Sequence, residues 1–96
     1  MHVISMKPLR DFWANHQEAQ TVLTDWFRLI ESQEFANFTA VKRTFNTVDY
    51  VAPFTVFDVG GNKYRVITDI HYNRKKVYIR YVLTHAEYDR NKWKVK

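Results

Sequence analysis

The chain has no cysteine. Disulfides, thiolate nucleophiles and cysteine-held metals are therefore excluded, and the redox compartment is left open. Glycine and proline are scarce, two of each in 96 residues, which argues against a disordered or linker-rich chain. No run of about 18 apolar residues occurs, so no membrane span is expected. The first residues carry no apolar signal-peptide core, and the expected location is the cytoplasm. P-loop, GxGxxG and GxSxG patterns are missing, which leaves nucleotide-hydrolase, dinucleotide and serine-hydrolase readings without support. His2, His16, His71 and His85 show no HxxxH or HExxH spacing, so neither a metal nor another cofactor is expected.

What is present is a basic, aromatic-rich globular composition: 46% hydrophobic, 26% charged and 17% aromatic residues. The length suits one domain, residues 1–96, with a two-layer core. Charge is unevenly placed. Residues 1–61 hold five Lys/Arg against seven Asp/Glu, whereas residues 62–96 hold ten against three. A basic half on a folded domain suits a polyanion such as nucleic acid; a merely solvated surface is the alternative.

The stretch Phe54–Tyr88 reads as three antiparallel strands and a short helix. An even loop at Asn73-Arg74, or over Tyr72 to Lys75, places Ile70 opposite Val77, Thr68 opposite Ile79, Val66 opposite Tyr81 and Tyr64 opposite Leu83. One face is then apolar. The other carries Arg65, Asp69, His71, Lys76, Tyr78 and Arg80, with Ile67 and Val82 among them. A turn at Gly60-Gly61 or Gly61-Asn62 puts Phe57 and Val59 on the apolar face and Asp58 opposite Lys63 or Arg65. Thr84 and Glu87 have capping-box spacing for a helix from His85 to about Asn91, and Trp93 is expected to anchor the tail.

Upstream, residues 2–5 suit a short strand, and Ser5 and Pro8 suit the start of a helix over about Met6 to Asn15. Ala19, Val22, Leu23, Trp26, Phe27 and Ile30 recur with helical period, giving a wide stripe able to cover the apolar sheet face. Asn37 can cap a short third helix to Phe45, and Val48 to Ala52 is β-like before Pro53.

Several residues on the basic face have the chemistry of a phosphate site. Arg65 and Arg80 can bind a phosphate bidentately; the structural alternative pairs Arg80 with Asp69 and Arg65 with Asp58. His85 and Tyr88, one helical turn apart, can transfer protons, and a tyrosine can stack on a base; alternatively, His85 packs on the sheet edge and Tyr88 belongs to the core. Lys63, His71, Lys76, Lys92 and Lys94 extend the positive field for RNA binding, or are simply solvated.

The run VFDVGGNKYRVITDIHYNRKKVYIRYVLTHAEYDRNKW (56–93) resembles the hallmark region of the HigB family of type II toxin–antitoxin toxins. The opening MHVISMKPLRDFW resembles that family's strand and first helix. GGNKYR and THAEYD are the specific motifs, and residues 34–53 match more loosely. The resemblance implies an α+β, RelE/ParE-like fold, with N-terminal helices on one face of a small antiparallel sheet and a short C-terminal helix. It also implies a metal-independent endoribonuclease, an mRNA interferase that cuts message on the ribosome and arrests growth. A cognate helix-turn-helix antitoxin would neutralise it, and operator DNA would be reached only through that antitoxin. By motif position, Lys63 and Arg65 fall in GGNKYR, Arg80 in VYIR, and His85 and Tyr88 in THAEYD. The resemblance leaves open a ParE-like poison of a DNA enzyme such as gyrase, and a non-catalytic RNA-binding module.

Overall fold

The computed structural model of the protein describes residues 1–90 and Trp93. Its elements run β1 (His2–Val3), α1 (Lys7–Asn15), a 3-10 turn (Gln17–Ala19), α2 (Gln20–Glu31), α3 (Phe38–Thr44), β2 (Asp49–Val51), β3 (Phe54–Val59), β4 (Tyr64–His71), a second 3-10 turn (Tyr72–Arg74), β5 (Lys76–Thr84) and α4 (His85–Asp89). The fold is α+β. The strands form one sheet in the order β1-β5-β4-β3-β2, antiparallel except for β1, which pairs parallel to β5.

Side chains accept free N–H groups in the first turns of α1, α3 and α4. The Ser5 hydroxyl accepts the Lys7 N–H at 3.0 Å, and Pro8 follows where a missing donor costs nothing. Asn37 accepts the Ala40 N–H at 3.0 Å and starts α3. Thr84 and Glu87 close the expected capping box reciprocally, at 3.2 and 2.8 Å. Leu23, Trp26 and Ile30 of α2 are buried together with Ala19, while Val22 and Phe27 flank them half-buried. Their partners under the helices include Phe57, Val59, Tyr64, Val66 and Val77. Trp26 and Phe45 both meet Phe57 edge-on, with ring centroids 5.2 and 5.1 Å apart. Each fully buried aliphatic or phenyl side chain in this layer contributes about 1.5–3 kcal/mol. Thr68, fully buried among them, is satisfied by donating to the Thr55 carbonyl at 2.9 Å.

The first hairpin has the register in which Asp58 faces Arg65 and Val59 faces Tyr64. The second keeps its expected pairs only in its far half. Ile70 faces Val77 and Thr68 faces Ile79, but Ile67 then faces Tyr81, Val66 faces Val82 and Tyr64 faces Thr84. Arg80 is the extra residue of a β-bulge, and it moves everything after it to the opposite face. Tyr81 and Leu83, expected under the helices, lie on the other side, whereas Val82 packs with the helical core. The reason is a second apolar cluster. Phe54, Val56, Ile67 and Trp93 are buried there, with Val51, Tyr81, Leu83 and Tyr88 around them. The face expected to be open and basic is therefore apolar and covered at the α4 end.

Candidate functional site

The first residue of α4 is fixed twice. Its helix starts directly from the last residue of β5, and the His85 N–H donates to the Lys63 carbonyl at 2.9 Å. This brings His85 over Arg65, which stands on β4. Arg65 Nη2 lies 3.1 Å from His85 Nδ1. A guanidinium only donates, so Nδ1 accepts and the ring hydrogen sits on Nε2. Nε2 is 3.1 Å from the Asp89 carboxylate, one helical turn on.

Arg65 is held firmly. It donates to Asp58 Oδ1 at 3.0 Å, to Asn62 Oδ1 at 2.6 Å, and to the carbonyls of Asn62 and Tyr64 at 3.2 and 3.3 Å. Its side chain keeps only 11% exposure, and that of Asp58 only 21%. The guanidinium also stands over the Tyr88 ring, 5.2 Å from its centroid. Trp93 stacks on Tyr88 at 5.2 Å and donates its indole N–H to the Tyr88 carbonyl at 3.2 Å. The expected tail anchor is thus also the support of a site residue. The ring that could stack on a base is thus occupied by Arg65 and Trp93. Burial raises the Tyr88 phenol above its ordinary pKa, and Asp49 adds to this while Arg65 opposes it. At neutral pH Tyr88 can therefore give a proton but not take one. Beside these groups lies a cavity of about 170 Å³, lined by Thr47, Asp49, Val56, Asp58, Arg65 and Tyr88.

The model of the HigB toxin family, described as the RelE-like toxic component of a toxin–antitoxin system, matches residues 19–91. The chain belongs to the HigB toxin family. It is 35% identical over 92 residues to the mRNA interferase toxin HigB of Escherichia coli (strain K12), covering 93% of this chain and 88% of the relative. The same identity and coverage hold for the mRNA interferase HigB of Shigella flexneri. The mRNA interferase HigB of Escherichia coli O6:H1 is 30% identical over 93 residues, covering 94% and 90%.

Within this HigB-type fold, Arg65, His85 and Tyr88 are brought together as expected. Arg80 is not. Its Nη2 pairs with Asp69 at 3.3 Å, and its guanidinium lies 5.4 Å over the Tyr78 ring. The two structural pairings foreseen as alternatives, Arg65 with Asp58 and Arg80 with Asp69, are both present. His71 joins the Arg80 group, 3.6 Å from Asp69 and edge-on to Tyr78 at 5.0 Å. Lys63 is exposed in the hairpin loop, and its charge helps lower the Glu18 pKa, though less than the Glu18 backbone hydrogen bond does. Lys76 faces His71 at the far end of the hairpin, away from α4. Lys92 and Lys94 lie outside the described residues. Three participants were missed from sequence: Asn62, Asp89 and Asp49. Only Asp89 had a readable signal, its i+4 spacing from His85. Among the described residues, no group of three or more His, Asp or Glu stands close enough to hold a metal.

Proposed function

We propose that the protein is a toxin of the mRNA-interferase type, an endoribonuclease cutting message on the ribosome. The observation that carries this reading is the meeting of Arg65, His85 and Tyr88 at the junction of β5 and α4. The similarity to relatives named mRNA interferases supports it.

The chemistry we infer is attack by a 2′-hydroxyl on its adjacent phosphorus. The new bond is 2′-O–P, and the bond that breaks is P–O5′. The hydroxyl proton passes to a base, and the leaving O5′ takes a proton from an acid. A 2′,3′-cyclic phosphate and a 5′-hydroxyl result. Such a reaction needs an acid, a base, a cation and in-line geometry, so no metal is required by it. A phosphate arriving at Arg65 competes with His85 for Nη2. Once that donor turns to the phosphate, the Nδ1 lone pair is free to take the 2′-hydroxyl proton. Tyr88, protonated at neutral pH, is the donor to O5′. Arg65, saturated with protein partners, is mainly the group that positions these two. Few strong acids and bases at the site suit an enzyme whose message is aligned by the ribosome.

As a toxic component, the protein pairs with an antitoxin. We take that antitoxin to carry a helix-turn-helix domain through which operator DNA is reached, and the toxin to act in the cytoplasm. None of the described helices is long and apolar enough to cross a membrane.

The test is cleavage of a translated message by the purified protein. His85→Ala and Tyr88→Phe should each lose on the order of 10² or more in rate, with little change in melting temperature. Intact message with inhibited gyrase would favour the DNA-enzyme poison. Message bound but uncut would favour a non-catalytic module. Full cleavage by both variants would remove these residues from the chemistry.

A further inference from the structure

A second group of polar and aromatic side chains lies in the far half of the hairpin, outside the reacting site. Asp69 and His71 follow Arg65 and Ile67 on the same face of β4 by the alternation of a strand. Tyr78 is paired opposite Asp69. Arg80 lies over the Tyr78 ring at 5.4 Å, and His71 meets that ring edge-on. Tyr78 and Arg80 share that face by ordinary alternation, which lays the guanidinium over the aromatic ring, while the bulge turns Tyr81 and the residues after it. The Arg80, Asp69 and His71 side chains retain 47%, 32% and 38% exposure. Asp69 pairs with both Arg80 and His71, and the other donors of Arg80 remain for a ligand.

We propose that Tyr78, Arg80, Asp69 and His71 form a separate nucleotide subsite, in which an unpaired base stacks on the Arg80–Tyr78 pair. This rests on the reading that the protein acts on message. A planar guanidinium backed by an aromatic ring presents a flat cationic surface, the kind on which unstacked bases settle. Asp69 supplies an acceptor for the exocyclic amino group at the edge of an adenine, cytosine or guanine. A bare phosphate contact would use Arg80 as a charge and leave Tyr78 without a role. Asp69 lies four residues along β4 from Arg65, about 13 Å at strand rise. The base held here is consequently a few nucleotides from the bond being cut. The subsite sets which sites are cut and how tightly message is held, while the chemistry stays at His85 and Tyr88.

The experiment has two arms. In the first, cleavage sites on a translated message are mapped for the wild type and for Tyr78→Ala, Tyr78→Phe and Arg80→Lys. Tyr78→Ala and Arg80→Lys should cut preferred sites about ten- to a hundredfold more slowly and lose base preference at one flanking position. Tyr78→Phe, which keeps the ring, should restore the wild-type pattern. In the second arm, single-stranded RNA oligonucleotides carry 2-aminopurine at one position at a time, with a 2′-deoxy substitution blocking cleavage. Quenching at one position, lost in Tyr78→Ala and kept in Tyr78→Phe, supports the subsite even if the wild type cuts no message and the nuclease reading fails. Unchanged sites and rates in Tyr78→Ala would overturn the subsite while leaving the nuclease intact. Loss in Tyr78→Phe, retention in Arg80→Lys, or no position-specific quenching would likewise overturn it. Melting curves of each variant separate these results from unfolding, and a loss matched by a melting-temperature drop counts against the subsite.

Discussion

Replacing Arg65 by alanine should destabilise the protein well before it reports on chemistry. The side chain is 11% exposed and Asp58, its carboxylate partner at 3.0 Å, is 21% exposed. Alanine would strand that carboxylate in a mostly dry position and leave Asn62, the Tyr64 carbonyl and His85 Nδ1 without their shared donor. Breaking a buried ion pair from one side costs about 3–5 kcal/mol. Water still reaches both partners here, so the lower end, about 3 kcal/mol, is expected. At this chain length that is a fall of about 12–24 °C in melting temperature. The double variant Asp58→Asn with Arg65→Ala removes the stranded charge and should recover about half of the loss. Thermal melting of the two single variants and the double gives the coupling directly. A loss below about 1 kcal/mol in Arg65→Ala, or strict additivity in the double variant, would refute the idea of a mutually dependent pair. Any activity lost in Arg65→Ala should be read against that melting curve.

Three further outcomes follow from the same geometry. Tyr64, Tyr72 and Tyr88 all have phenols raised above the ordinary value of 10.0, in each case chiefly by burial. Their folded-state pKa values exceed the unfolded ones, so their stabilisation is complete below about pH 10 and is lost as pH rises through the folded values; alkaline melts with phenolate absorbance should show stability falling above that pH, and a flat profile would count against it. Gly60→Ala should cost about 1–2 kcal/mol by melting, because φ is +70° there and a new Cβ would lie 3.1 Å from the Tyr64 ring and 3.3 Å from Val22, and a neutral result would mean the loop relaxes freely. RNA affinity should fall with rising salt, with a log–log slope that shrinks when Lys63 is changed to alanine; insensitivity to salt would exclude the basic half as the RNA surface.

The parts of this fold that sequence made legible are those governed by local rules. The stripe from Ala19 to Ile30, the Asn37 cap and the Thr84–Glu87 capping box each depend on residues within a turn or two of one another, and each formed as expected. The pairing of Asp58 was legible only as a choice between Lys63 and Arg65, and the turn centred on Gly61 and Asn62 selects Arg65. The bulge at Arg80 was not. The sequence from Val77 to Leu83 alternates well enough to pass for a regular strand, and only the demand of Phe54, Val56 and Trp93 for apolar partners on the far face selects the shifted register. That demand arises from residues 21 or more positions upstream on β3 and from a tryptophan beyond α4. Arg80 itself keeps the face expected of it and forms the foreseen pairing with Asp69, while the shift sets Leu83 opposite Arg65. The role of Tyr78 is not legible in the pattern either, because the strand period puts Arg80 on its face but does not say that the guanidinium will cover the ring.

Thr84 belongs at once to β5 and to the cap of α4, so strand passes into helix with no loop between them. A lid or gate needs hinge residues that can absorb a change of φ and ψ, and this junction offers none. The His85 backbone is tied ahead to the helix, behind to the strand and sideways to the Lys63 carbonyl. Its slow motions should therefore be those of the sheet itself. With no closing step at this junction, timing would fall to the substrate. Turnover should be governed by how often a message segment is presented with its ribose and phosphate already in line. On the proposed function, such a centre would be a poor nuclease on loose RNA and a fast one wherever another machine holds the strand still.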